Sequence, residues 1–592
     1  MNNFRGLTLL QFLCFTLAFG AISRFHHLRD VAVEHFDEGV YASNLFIGPP
    51  DFRYPFQELY APPLLPSLLE WTLILTGSSD TSVIRVNVLF GILLLMAIGW
   101  TANELLRRDE RKTPATPSVP SGLSFGAIAA MLLALTSEIL IQYSRTALTD
   151  IPLTFFLALA VGAGTRGLRQ NDWRWVIAAG VFTALAWWTK YNGWLPLAIL
   201  GAGIAGWFVL GTRNWKQTQP ALVKWFVITT LAILLWLPCL NGLQATGGYA
   251  AVATNHAGYV VGPSGWFDSI QRHLQVDRFY SGWLTASGFL FAFTLPLGWG
   301  VKTSDGQPLP WDNIRAMIVL GLGTVLAGLC WWGGALPVLL LLTVTAVVLT
   351  LLSPRSKETR FTLGHWILIA WILGLLFATP MYRPYPRLIL PLLVGLSIGA
   401  GCGVEQILRR VIGTTSSATP PEECRSQRIW RGGVAVGIVV TLAILPHFFT
   451  PVALESRLQF KEIAALASAA IRQDLVENPR VSRQEGQALV AVYGEPGLFF
   501  HLARDPQKLV IQPIGTTAPL ISSTGVSDVP TYLITGPHAW DAAQELENLP
   551  ERIRLVASFD YAPSPLVLLD SMTPSECAAY PPVKIQVWTR SQ

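Results

Sequence analysis

Apolar runs of about 20 residues recur through the first 450 positions of this chain, and each is long enough for one helix to cross a bilayer's hydrocarbon core. Thirteen stretches qualify, near 7–23, 83–106, 122–142, 151–167, 174–190, 194–211, 222–240, 283–300, 316–332, 335–352, 363–380, 387–405 and 432–450. In lipid the backbone must satisfy its own hydrogen bonds, so runs of this kind become helices. The predicted fold over residues 1–454 is an all-α polytopic membrane domain with about 13 transmembrane helices. Composition agrees, because only 13% of the chain is charged, against roughly 25% in soluble domains. The segment 62–77 is rich in Leu but punctuated by Pro, and it reads as an interfacial or re-entrant helix. Were it a full span, the C-terminus would change sides. Leu7–Ile22 reads as a retained first helix rather than a signal peptide, because many more spans follow and no small-residue cleavage site does.

Basic residues fix the direction of insertion. With the N-terminus in the cytoplasm, the inner loops hold Arg107, Arg108, Arg111 and Lys112; Arg166, Arg169 and Arg174; Arg213, Lys216 and Lys224; and further clusters near 302–315, 355–360 and 409–431. The short outer connections hold few, among them Arg145, Lys190, Arg383 and Arg387. Two long outer loops then run over about 24–82 and 241–282, a tight one over 143–151, and the C-terminus lies outside. After 455 the composition changes. Phe460–Leu475 has helical periodicity, and short β-rich runs follow at 488–493, 508–512, 531–535 and 566–569. Residues 455–592 are therefore predicted to form a small extracytoplasmic α/β domain. Its single cysteine, Cys577, excludes an internal disulfide, and the six cysteines of the chain show no metal-ligand spacing. The net charge of +5 gives no ground for a nucleic acid partner.

Ionisable residues beside a bilayer are costly to place, and several collect on the outer side. The first outer loop opens with His35-Phe36-Asp37-Glu38-Gly39-Val40-Tyr41-Ala42. Adjacent carboxylates cannot point the same way on a helix, so one of Asp37 and Glu38 is free for chemistry while the other organises the loop. Further along come Glu58, Tyr60 and a Pro62-Pro63-Leu64 run. The tight loop carries Arg145 and Asp150, which read as a pair closing the turn. Lys190 ends one helix, and Tyr382-Arg383-Pro384-Tyr385-Pro386-Arg387 joins two others. Bases with tyrosines at a membrane surface suit a phosphate, and carboxylates suit the handling of an acceptor hydroxyl.

In order and in shared face, these motifs resemble the C-type (GT-C) membrane glycosyltransferases, in particular the protein-mannosyltransferase and aminoarabinose-transferase-like group. The resemblance rests on Asp37-Glu38 with Tyr41-Ala42, on Pro62-Pro63-Leu64, on the turn from Arg145 to Pro152, on Thr189-Lys190, and on Tyr382 to Pro391. It covers roughly 7–450. The resemblance implies transfer of a sugar from a polyprenyl-phosphate donor, with inversion, to a lipid, glycan or protein acceptor at the outer face of a membrane, most simply a bacterial inner membrane. It implies catalytic roles for Asp37, Glu38 and Asp150, with Arg145 supporting Asp150. Donor phosphate and substrate contacts fall to Lys190, Tyr382, Arg383, Tyr385, Arg387, Tyr41 and Tyr60. It also allows a divalent metal ion held by Asp37, Glu58 and His256. The chain departs from the group at Tyr60-Ala61, where members carry Glu-Lys or His before the double Pro. A transporter or flippase is the main competing reading, but the chain shows no clear internal repeat. Within enzymes, a ligase using a pyrophosphate donor is the alternative.

Overall fold

The computed structural model describes residues 2–43, 59–106, 123–170, 172–212, 214–245, 247–280, 362–413, 457–478, 488–504, 509–514, 531–548, 551–564 and 572–590. The stretches expected to span near 283–300, 316–332, 335–352 and 432–450 lie outside these residues, as do Glu58 and the run at 566–569.

The membrane part is built of helices: α1 (Asn2–Phe25), α2 (Phe36–Ser43), α3 (Leu64–Thr76), α4 (Asp80–Leu106), α5 (Phe125–Leu135), α6 (Glu138–Ser144), α7 (Asp150–Gln170), α8 (Trp173–Thr189), α9 (Leu195–Gly206), α10 (Trp215–Gln244), α11 (Gly248–Ala257), α12 (Trp266–Tyr280), α13 (Leu363–Ala378) and α14 (Leu390–Gly413). Among the described residues, six helical segments are long and apolar enough to cross a membrane, and a bent pair would add a seventh. That pair corrects the expected single span at 122–142. After α5 the chain turns by 64° into α6. Ser137 caps the new helix, its hydroxyl accepting the Leu140 N–H, and this ends α5 after 11 residues.

The helix α3 accounts for the segment 62–77. Its 13 residues rise about 20 Å, too short for a span. Leu65, Leu69 and Leu73 are buried, while Trp71, Ile74 and Leu75 are exposed on the other face. An apolar helix with one bare apolar face suits the bilayer surface, as the sequence suggested.

Hairpin geometry decides which residues share an end. In α7 the acid Asp150 opens the helix and Arg169 closes it, about 30 Å away. At the closing end, Glu104 of α4 is buried between Arg169, at 2.9 Å, and Arg166, at 3.5 Å. At the opening end α8 returns to place Lys190 next to Asp150, and α4 begins with Asp80. The basic residues assigned to an inner loop thus lie at the opposite end of the hairpin from the acid assigned to the outer site.

The C-terminal part contains α15 (Gln459–Glu477), β1 (Ala488–Tyr493), α16 (Pro496–Leu502), β2 (Leu509–Ile514), β3 (Thr531–Thr535), α17 (Trp540–Glu547), β4 (Ile553–Tyr561), α18 (Pro574–Ala578) and β5 (Val583–Arg590). The sheet order is β2-β1-β3-β5-β4. Strands β1, β2 and β3 run parallel, whereas β5 is antiparallel to both β3 and β4. The expected α/β character is met, and two strands not expected from the sequence, β4 and β5, complete the sheet.

This part packs directly on the loop that carries Asp37. A side chain at Gly39 would come within 2.4 Å of the Gly497 backbone nitrogen. Only glycine allows α2 to lie so close to the start of α16. Across the same junction Arg457 N–H donates to the Asp30 carbonyl and Ala32 N–H to the Arg457 carbonyl, His501 Nε2 meets the Val33 carbonyl at 2.9 Å, and Lys461 pairs with Asp80 at 3.0 Å.

Candidate active site

Asp37 sits in the first turn of α2, a helix of only eight residues. Its carboxylate is held on both sides: Tyr60 OH donates to Oδ1 at 2.9 Å and Arg387 Nη1 donates to Oδ2 at 2.5 Å. Burial pushes the carboxyl up, but Arg387, His35 and the two hydrogen bonds outweigh it and hold the group well below the usual carboxylate range. Asp37 is therefore a permanent anion with a fixed orientation. Beside it, burial and the Arg387 charge bring the His35 imidazole down to about 3. The ring stays neutral, and its Nδ1 accepts the Asp37 N–H at 3.0 Å.

Glu38 points the other way. It is fully buried and accepts the N–H groups of Glu34 and His35, each at 3.2 Å, and of Ala147 at 2.7 Å. Arg457 Nη1 stands 3.8 Å off. The adjacent acids divide as their spacing required, with Asp37 facing Tyr60 and Arg387 and Glu38 tying α2 to the tight turn. Glu38 thus holds the loop in place, with both carboxylate oxygens taken up by backbone N–H groups.

Asp150 pairs with Lys190, Oδ1 to Nζ at 2.6 Å, and not with Arg145 as the sequence suggested. The reason is the α7–α8 hairpin. Lys190 caps α8 in extended conformation, and a side chain at Gly193 would strike the Ala186 backbone at 2.2 Å, so the turn closes tightly and swings Lys190 over the start of α7. Arg145 lies buried, donates to the His27 carbonyl at 3.1 Å, and offers its own carbonyl to Arg457. Tyr41 stands between the two acid sites. It is buried, its ring is 6.2 Å from that of Tyr60, and the charges of both Asp37 and Asp150 reach its hydroxyl. The turn after Lys190 also fixes Tyr60, because Tyr191 OH donates to the Leu59 carbonyl at 2.5 Å. Leu59 takes a left-handed φ of 57° that aims the next residue at Asp37.

The segment 381–387 is pinned by the second long loop. Val261 N–H donates to the Met381 carbonyl and Arg383 N–H to the Tyr259 carbonyl. The Tyr382 ring stacks on Tyr259 at 6.4 Å, and Tyr385 lies 6.2 Å from that ring. The Arg383 guanidinium covers Tyr259 at 5.6 Å and has no carboxylate partner among the described residues. Arg387 leans on Tyr385 while holding Asp37. The result is an aromatic shelf topped by one base, beside the Asp37 clamp.

Of the expected metal ligands Asp37, Glu58 and His256, Glu58 lies outside the described residues. Both Asp37 oxygens are engaged, His256 Nδ1 bonds the Val252 carbonyl of its own helix, and among the described residues no group of three His, Cys, Asp or Glu is placed to hold an ion.

What the C-terminal part adds here rests on residues that belong to no motif. Glu34 is buried at the junction, its Oε1 accepting the Phe460 N–H at 3.3 Å. Burial, against the pull of Arg457, pushes its carboxyl up to about 7. His538 packs on Phe36 at 5.0 Å and pairs with buried Glu495 at 3.1 Å.

Curated proteins give no match to the chain. Among solved structures it is similar to ArnT from Cupriavidus metallidurans bound to undecaprenyl phosphate, with 15% identity, a TM-score of 0.49, and coverage of 98% of this chain and 97% of that one. It is similar to the archaeal oligosaccharyltransferase AglB from Archaeoglobus fulgidus in complex with an inhibitory peptide and a dolichol-phosphate, at 11% identity and TM-score 0.48, covering 90% of this chain and 70% of that one. A weaker likeness is to the S. cerevisiae protein O-mannosyltransferase Pmt1–Pmt2 complex bound to the sugar donor, at 18% identity and TM-score 0.30, covering 39% and 33%. The family model for dolichyl-phosphate-mannose-protein mannosyltransferase matches residues 121–245. That stretch supplies Arg145, Asp150 and Lys190.

Proposed function

We propose that this protein is an inverting membrane glycosyltransferase that moves a sugar from a polyprenyl-phosphate donor to an acceptor among lipids, glycans or proteins. The observation that carries this reading is the Asp37 carboxylate, fixed between Arg387 and Tyr60 at the mouth of a helical membrane domain whose 121–245 segment matches a dolichyl-phosphate-sugar transferase family. In a displacement with inversion, the acceptor oxygen approaches the anomeric carbon opposite the departing phosphate. A permanent anion beside that carbon stabilises the positive charge that develops there. The phosphate gathers negative charge as it leaves. Arg383 on its tyrosine shelf is the base best disposed to receive it, with Lys190 and Arg387 supplying positive charge from their pairs. We place the site, and with it residues 455–592, on the extracytoplasmic face of a bacterial inner membrane. The distribution of basic residues favours that side.

The test is transfer from radiolabelled polyprenyl-phosphate sugars by the purified protein in nanodiscs. Asp37→Asn keeps the shape and the Tyr60 bond but loses the charge, and should cut turnover by about 10²–10³-fold without altering the elution volume of the folded protein. Turnover at the wild-type rate would remove Asp37 from the mechanism.

A further inference from the structure

The C-terminal part brings a carboxylate–imidazole pair to the edge of the site, and the mechanism above leaves it unused. In the sheet, β1 and β3 end side by side, with Tyr493 paired to Thr535. Open α/β sheets bind ligands outside the carboxyl ends of such strands. At this edge β1 runs into Gly494-Glu495 and β3 into Gly536-Pro537-His538. Gly494 takes a φ of 73°, and a side chain at Gly536 would strike Glu495 at 2.7 Å. Two glycines thus let Glu495 sit directly under His538. Glu495 is completely buried, accepting the His538 backbone N–H at 2.6 Å and meeting ring Nδ1 at 3.1 Å. His538 Nε2 has no protein partner among the described residues, and its side chain is 31% exposed. The ring rests on Phe36, the neighbour of Asp37, and its charge is coupled to both Asp37 and His35.

The site needs a base, and the groups nearest Asp37 are poor ones. Asp37 is clamped and acidified, His35 uses Nδ1 to accept a backbone N–H, and Glu38 is occupied by three backbone donors. An imidazole whose Nδ1–H is held by a carboxylate keeps its Nε2 lone pair for a proton.

We infer that His538, oriented by Glu495, is the general base that takes the proton of the acceptor, and that the acceptor is consequently a hydroxyl and not an already ionised phosphate. This rests on the transferase reading. The acceptor oxygen bonds to the anomeric carbon as its proton passes to His538 Nε2. The anomeric carbon–oxygen bond to the donor breaks, and its electron pair leaves on the phosphate. Glu495 faces His538 from its own domain, while Asp37 and His35, with Arg387 behind them, face it from the membrane domain. Burial disfavours the charged ring, but Glu495 and then Asp37 outweigh burial and raise its pKa.

Two measurements on the full chain in nanodiscs decide the matter. In the first, histidine-labelled protein is titrated by nitrogen NMR, with the His538 signal identified by its loss in His538→Gln. Its midpoint should lie above that of a free imidazole and move down in Glu495→Gln and again in Asp37→Asn. A midpoint unmoved by Asp37→Asn overturns the inference, because the ring then does not face the site. The second follows transfer against pH from a panel of undecaprenyl-phosphate and dolichyl-phosphate sugars to hydroxyl acceptors (octyl glycosides and a Ser/Thr peptide). His538→Gln should lose about 10²–10⁴-fold in rate together with the acidic limb of the kcat/KM profile. Wild-type turnover with that limb intact in the variant sinks the base role and leaves the transferase reading standing. Wild-type protein inert toward every donor sinks both.

Discussion

Replacing Arg457 by Met should cost about 3–5 kcal/mol, the penalty for leaving a buried charge without its partner. Arg457 is only 5% exposed and is the cation nearest both Glu38 and Glu34 in the junction. It also donates to the Arg145 carbonyl at 2.5 Å. Met fills much of the volume, so the loss is electrostatic and of hydrogen bonding more than of packing. Burial already raises the Glu38 carboxyl, and Arg457 is the chief opposing influence. Without Arg457 the acid escapes by taking up a proton, so the penalty must depend on pH. At pH 8 the unfolded chain has ionised Glu38 and the folded one must either bury the charge or protonate it. Near pH 5 protonation is cheap, and the loss should shrink toward that of the Arg145 hydrogen bond, about 1 kcal/mol. Pulse proteolysis in urea, in detergent micelles at both pH values, measures the difference. Adding Glu38→Gln should recover part of the loss at pH 8, because removing both charges of a buried pair is far less costly than removing one. Equal losses at both pH values, or strictly additive single variants, would refute the assignment of Arg457 as the counter-charge.

Three further outcomes are expected. Gly39→Val forces a side chain into the Gly497 backbone and should destabilise the junction by about 1–3 kcal/mol, read as faster protease release of the C-terminal part. Lys190→Met leaves buried Asp150 without its cation and should lose stability that the double variant with Asp150→Asn regains; a double variant no better than Lys190→Met would count against the pair. The Glu34 carboxyl has a folded pKa raised to about 7, so the fold binds its proton more tightly than the unfolded chain does. Stability is then greatest below the ordinary carboxylate value, falls as pH rises toward about 7, and levels off above. Hydrogen exchange in 457–462, corrected for intrinsic rates, should quicken over that window in the wild type and not in Glu34→Gln.

Much of this arrangement was legible because membrane physics leaves few choices. Apolar length alone marks α4, α7, α10 and α13, and placement of basic residues puts Asp37, Asp150, Lys190 and Arg387 together. The division of labour between Asp37 and Glu38 follows from helical geometry. What could not be read is whatever depends on which turn closes tightly. The Asp150–Lys190 pair displaces an Asp150–Arg145 pair because Gly193 lets the α8 turn close against Ala186, and a sequence window cannot weigh one near neighbour against another 40 positions away. The break between α5 and α6 is carried by a single serine cap inside an otherwise continuous apolar run.

The junction was hidden for a different reason. Arg457, Glu495, His501 and His538 belong to no motif, and each reads as an ordinary polar residue of a small α/β domain. Their meaning comes from what they meet: the Arg145 carbonyl, the Val33 carbonyl, Asp80 and Phe36. A domain that served only as a tether would show a surface-like boundary here, polar and wet. This boundary instead buries Glu34, Glu38, His35 and Arg457 together, which is costly in a low-dielectric interior unless the groups engage one another. At the carboxyl edge of the parallel strands, the part of such a sheet suited to ligands, His538 packs on Phe36, the neighbour of Asp37. The C-terminal part is thus one wall of the site, and variants that loosen it should impair turnover even when every residue of the membrane domain is intact.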